Sequence, residues 1–413
     1  VESAQQPVAV SDPPRPEPAP KASARPEVGG RLRQIDIFRL LICFCVVARH
    51  AGVAQYAVQV DANYTDRPVV GALMFAGHFT RNAFFFVSAL VLVYAYAPRL
   101  DGDGRLADSG SARRRRLKLI GLPYLVWTML YLVSTQIFGG IAPAVTEGPE
   151  KSWARFIVTL PDVVLHSLIT GDASYHLYFL VVTLQFTVLF PLFLRLLQRT
   201  RRYHGWLLAG SFVLQLITLR CYATFGMPTG TWKAILGDSS LVAYQFFLIL
   251  GGVVGLNVGR VHDWITEHRL LVLLPLPLAT VALLMTYKAR LDWADPAEAA
   301  DAMHPMVLVF AAALLGPLYL AADWLARRRA SGVRTVLDRG GQLSFGIYLA
   351  HPLVLSLVFL VWLLLGWSGP AAWHGVLAIV LTLAGTIALC LVAHRSRLSL
   401  PLIGRPRRKP RTT

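Results

Sequence analysis

Residues 35–52 read IDIFRLLICFCVVARHAG, a stretch apolar enough to enter a bilayer that nevertheless carries Arg39 and His50. A helix needs about 20 mainly apolar residues to cross ~30 Å of hydrocarbon, and the run from 35 to 55 meets that length. Arg39 and His50 are eleven positions apart, and eleven steps of ~100° return to within about 20° of the same helical face. They therefore share a stripe with Cys43 and Val46, separated by about 16 Å along the axis. Arg49 lies about 100° round from His50 and is expected to matter far less. Ionisable side chains inside a span are costly and usually face a cavity or a partner, so one helix supplies the fold class and the first candidates for chemistry. Taken singly, Arg39 could snorkel to lipid head groups and His50 could be a packing histidine; their alignment favours function.

The rest of the composition agrees with a membrane protein. Of 413 residues, 55% are hydrophobic and 15% charged, where a soluble domain carries about 25% charged residues, and the mean hydropathy is +0.52. Too little polar surface remains to cover a soluble globule. Cys43, Cys45, Cys221 and Cys390 lie in apolar stretches without metal-type spacing, so neither a disulfide framework nor a metal site is expected. Residues 1–32 form a Pro/Ala-rich segment with seven prolines in its first thirty positions, which reads as a disordered cytoplasmic tail. A membrane domain over 33–395 and a basic cytoplasmic tail over 396–413 complete the organisation.

Ten stretches are long and apolar enough to span, at about 35–55, 71–97, 117–139, 175–197, 205–225, 238–258, 269–287, 303–325, 343–366 and 372–394. The segment 153–170 mixes Arg155, Asp162 and His166 into apolar residues and reads as interfacial or re-entrant. The expected fold is an all-α polytopic membrane helix bundle of about ten transmembrane helices. Alternate loops differ sharply in charge: thirty of the 40 Lys and Arg fall on the side of the two ends, six on the other, and four within spans. Cationic loops stay in the cytoplasm, which makes both termini cytoplasmic. Topology accounts for most of the net charge of +17, so no nucleic-acid partner is required.

Further polar residues fall inside or at the mouths of spans. In GHFTRNAFFFVSALVL, His78 and Arg81 share a face at i, i+3, at a depth that lets His78 and His50 open onto one cavity; lipid-phosphate binding at the interface is the plainer account. The run ARRRRLKLIGLPYLVW leads into the third span, and clustered arginines can clamp phosphates through forked bonds, although such clusters are also ordinary topology signals. Tyr175, His176 and Tyr178 gather aromatic rings at a helix mouth, where belt residues are normal. His351 lies deep in its span ahead of Pro352, with Tyr348 one turn back, and the proline leaves backbone groups unpaired.

These residues resemble the integral-membrane acyltransferase-3 family, which includes bacterial O-acyltransferases acting on O-antigen, peptidoglycan, exopolysaccharide and macrolides. The matching pieces, in order, are Asp36 with Arg39-x10-His50, Arg81 with Phe85, Phe86 and Ser88, RRRRLKLIGLPYLVW, HLYFL at 176–180 and SFGIYLAHPLVL at 344–355. Ala89 stands where the family form has Gly. The resemblance implies transfer of an acyl group from acyl-CoA, acetyl-CoA by family habit, to a hydroxyl of a carbohydrate or glycosylated metabolite. It puts the catalytic histidine at His50 and the donor-binding arginines at Arg39, Arg113 and Arg116, although alignment from Pro123 would instead bring Lys118 and Leu119 to the second loop position. His78, Arg81, His176, Tyr178, Tyr348 and His351 are then the expected acceptor contacts. Coenzyme A needs a cationic surface for its phosphates and a reactive group a channel's length away, which the Arg39 to His50 stripe provides. His50 could act as general base or as acyl carrier. The competing classes are a transporter or flippase, for which no internal repeat is found, and a non-catalytic membrane binding module.

Overall fold

In the computed structural model, residues 32–59, 68–99, 109–139, 149–328, 331–367 and 371–406 are described. The expectation of a disordered tail over 1–32 lies almost wholly outside them. Helix α1 (Arg33–Gln59) buries Ile35, Ile37, Phe38, Ile42, Cys43, Val46, Val47 and Ala51, positions that fall around most of its circumference. A helix apolar all round is surrounded by others, and α1 is the central post of the bundle.

Its surroundings come from both halves of the chain. After α1 come α2 (Pro68–Gly77), α3 (Phe79–Tyr96), α4 (Ser109–Gly139), α5 (Pro149–Thr170), α6 (Tyr178–Arg199) and α7 (His204–Phe225). Beyond a break follow α8 (Gln245–Leu256), α9 (Val258–Glu267), α10 (Pro275–Arg290), α11 (Pro305–Ala326), α12 (Ser331–Leu364), α13 (Ala371–Arg395) and α14 (Ser399–Ile403). Helices α3, α11, α12 and α13 pack directly on α1. Helix α8 lies against α3, brought close by glycines: a Cβ on Gly251 would fall 2.1 Å from the Phe86 carbonyl oxygen, and one on Gly255 2.7 Å from that of Leu90. Small residues four apart allow such backbone contact in membrane helices.

Among the described residues, eight helices are long and apolar enough to cross a membrane, with α2 and α3 counted together over Val69–Arg99. The expected span at 238–258 is a bent pair, Gly230–Leu236 and Leu241–Leu256, turned by 41° at its break. Helix α1 has the length but carries Asp36, Arg39 and Arg49. The outward faces of α7, α10 and α13 expose Trp206, Val213, Leu214, Leu278, Val281, Met285, Val380 and Val392. A band of that size is stable in lipid and would drive association in water. The segment after 395, expected as a tail, is helical again in α14. Ser399 and Ile403 are buried, and the Trp127 indole N–H donates to the Leu402 carbonyl at 2.9 Å.

Candidate active site

The His50 end of α1 opens onto a cavity of about 960 Å³. His50, His78, Arg81, His176, Tyr178 and Tyr348 all line it, so four parts of the chain, α1, the start of α3, the start of α6 and α12, converge on it. His351 is the exception. It is fully buried at 0% exposure and stands behind His50, and both of its ring nitrogens face protein atoms. His351 Nε2 is 3.0 Å from His50 Nδ1, and its Nδ1 is 2.7 Å from the Tyr348 carbonyl oxygen. The two imidazole planes are parallel to within 5°. Tyr175 packs edge-on against His50 with centroids 4.5 Å apart.

The α2–α3 break falls at His78, where tight i→i+3 bonds, His78 N–H to Phe75 O and Arg81 N–H to His78 O, both 3.3 Å, turn the chain. His78 Nε2 lies 3.1 Å from the Ala300 carbonyl oxygen and 3.3 Å from Arg49 Nη2. Arginine can only donate, so an Nε2–H bonded to Ala300 leaves the Arg49 contact electrostatic. Arg81 donates to the Ala302 carbonyl and sits 5.9 Å over the Tyr244 ring. Arg49, about 100° round the helix from His50, also lines the cavity: the cavity is wider than one helical stripe and wraps round α1.

A loop and the broken helix form the mouth. Gly171 has φ +79°, and a Cβ there would meet the Tyr178 backbone at 2.5 Å, so the turn that lifts Tyr175 and His176 between α5 and α6 is specific to glycine. Lys233 spans the mouth, 2.6 Å from Asp172 Oδ1 and 3.6 Å from Asp238 Oδ1, while His166 Nε2 lies 3.4 Å from Asp172 Oδ2. Burial alone would raise the Asp172 carboxyl, but the hydrogen bond and charge of Lys233 outweigh it and hold the group below the usual carboxylate range. The Gln185 amide fixes the break, donating to the Ala234 and Ser239 carbonyls, each at 2.9 Å, and accepting from Leu241 N–H at 3.1 Å.

At the opposite end of the stripe, half-buried Arg39 and Arg116 interact as like charges. The buried Nε of Arg116 has no hydrogen-bond partner. An inward-facing guanidinium with unused donor capacity beside a second cation suits a polyanion. Arg113 is exposed in the first turns of α4, so the basic run is helical and only its last arginine turns inward.

Sequence reasoning missed Arg49, Asp172, Lys233 and Asp238. Lys233 left a trace, as one of only six basic residues on its side of the expected topology. The carboxylates left none, since their loops approach only through the broken helix. The family model described as an acyltransferase domain, Acyl_transf_3, matches residues 32–395. No curated protein and no solved structure matches the chain.

Proposed function

The chain belongs to the acyltransferase-3 family and is a multi-pass membrane acyltransferase, and from that premise we propose that it moves an acyl group, acetyl in the simplest case, from acyl-CoA to a hydroxyl of a carbohydrate or glycosylated metabolite at the cell membrane. The observation that carries this reading is one helix with cationic residues at one end and His50 in a large cavity at the other. Arg39 and Arg116 would hold the phosphates of the donor, with Arg113 as an outer charge. The distance of about 16 Å from Arg39 to His50 suits a donor whose charged and reacting ends are separated by a pantetheine arm. His50 serves as general base toward the acceptor hydroxyl. The acceptor is held by His78, Arg81, His176, Tyr178 and Tyr348, a lining of aromatic rings and donors fitted to polyhydroxyl compounds.

Purified protein supplied with radiolabelled acetyl-CoA should release coenzyme A and transfer label. Mass spectrometry of surface glycans and secreted metabolites, with and without the gene, should show acyl groups lost from the acceptor. Absence of any donor turnover, with folded protein and no change in acylation on deletion, would refute the assignment of substrates.

A further inference from the structure

The protein places a second imidazole behind the first, and a proline explains why it is held there. In a regular helix the N–H of residue 352 would donate to the carbonyl of residue 348. Residue 352 is Pro, inside α12, and has no N–H. The Tyr348 carbonyl is thus released from the helix ladder, and His351 Nδ1 lies 2.7 Å from it. A carbonyl oxygen can only accept, so His351 Nδ1 carries the hydrogen. In a neutral ring Nε2 is then a lone pair. That lone pair faces His50 Nδ1 at 3.0 Å, so His50 Nδ1 must donate. His50 Nε2 is left unprotonated, as a base requires.

We propose that His351 is the positioning residue of the reaction: bonded to the carbonyl freed by Pro352, it fixes the tautomer and ring orientation of His50 and, by accepting from Nδ1–H, stabilises the imidazolium formed when His50 Nε2 gains a proton. This rests on the reading of His50 as the base. In the transfer step the acceptor O–H bond breaks and its proton goes to His50 Nε2, while the oxygen bonds to the thioester carbonyl carbon. Collapse breaks the C–S bond, and the departing thiolate takes the proton from Nε2. Between these events the Nδ1–H of the imidazolium is held by His351 Nε2. In serine-hydrolase triads a carboxylate fills that place. Here the charged and titratable groups around His50 are Arg49, His351, His176 and His78, with Tyr175 at its edge, and the cavity's carboxylates, Asp172 and Asp238, are engaged by Lys233.

The test compares His351→Leu, which cannot accept from Nδ1, with His351→Gln, whose amide oxygen reaches the former Nε2 position. Membranes matched for protein abundance receive radiolabelled acetyl-CoA, and label leaving the donor is followed, with coenzyme A affinity measured separately. His351→Leu should lower kcat about 10²-fold or more at unchanged coenzyme A affinity, and His351→Gln should restore it to within about tenfold of wild type. Nitrogen-15 NMR of histidine-labelled protein, with His50 identified by its loss in His50→Gln, should show the Nδ1–H tautomer in wild type and a mixture in His351→Leu. An Nε2–H tautomer in wild type, a fully active His351→Leu, or equal losses in Leu and Gln with the His50 tautomer unmoved would each overturn the proposal. If His351→Leu does not fold, the wild-type tautomer decides alone. Activity surviving in His50→Gln would instead remove the base reading beneath it.

Discussion

Replacing His50 by Gln keeps a polar side chain of similar reach and removes the nitrogen that can take a proton. The expected result is normal insertion, unchanged binding of coenzyme A by calorimetry, and transfer reduced by ~10²–10⁴; a loss confined to protein abundance would mark His50 as a packing residue. Arg39 carries a different expectation, because it lies at the other end of α1 beside Arg116. Arg39→Ala should weaken donor affinity with little effect on the rate at saturating donor, and raised salt should weaken binding further through exposed Arg113. Arg49 shows the limit of helical geometry read from sequence. The 100° step from His50 is real, yet the side chain enters the same cavity and lies 3.3 Å from His78 Nε2, so Arg49→Ala should also depress transfer, by tenfold or more, measured in the same membranes.

Among the elements, those whose form depends on local periodicity were legible and those fixed by distant partners were not. Helix α1 announced itself through Arg39, His50 and an apolar run, and α12 through Pro352 and its aromatic turn. The turn at Gly171 is tied through Asp172 to Lys233 and the break before α8 is held by Gln185, residues remote in sequence from the backbone they hold, and no periodic pattern encodes such contacts. Gly171→Ala should therefore cost more than the ~1 kcal/mol typical of a left-handed glycine, since the Cβ also strikes backbone; a Tm lowered in step with loss of transfer would show it. The tie at the mouth has a pH signature. Because the folded Asp172 carboxyl is held below its ordinary value, its contribution is full above the unfolded value of ~3.9 and lost as pH falls through the lower folded value. The Tm difference between wild type and Asp172→Asn should persist above about pH 5 and close below about pH 4.

For the whole molecule, the charge count and the helix count bear on one question. Thirty basic residues on one side argue by the positive-inside rule that both ends of the sequence are cytoplasmic. The helices bear separately on whether the two ends share a side: among the described residues, eight apolar spans, the bent pair acting as a ninth, and α1 as a tenth make an even number, which returns the chain to its starting side. The two arguments use different residues, one the loops and the other the spans, and would disagree if the bent pair were re-entrant. Cysteine labelling can separate them. Cys43 and Cys390 are buried, but Cys221 is exposed, so all four native thiols are replaced before single cysteines are introduced at Trp293, which is 66% exposed in the loop before α11, and at Pro410. A membrane-impermeant maleimide should label Trp293→Cys in intact cells and reach Pro410→Cys only after permeabilisation. Labelling of both from outside would mean an even number of crossings between 293 and 410, where α11, α12 and α13 are the spans available; with three spans the two sites must lie on opposite faces, so that outcome would break the span assignment itself. Protection of Trp293→Cys with labelling of Pro410→Cys would leave the spans intact and invert the bundle, moving the Arg39 and Arg116 end away from the cytoplasmic pool of acyl-CoA that the proposed reaction requires.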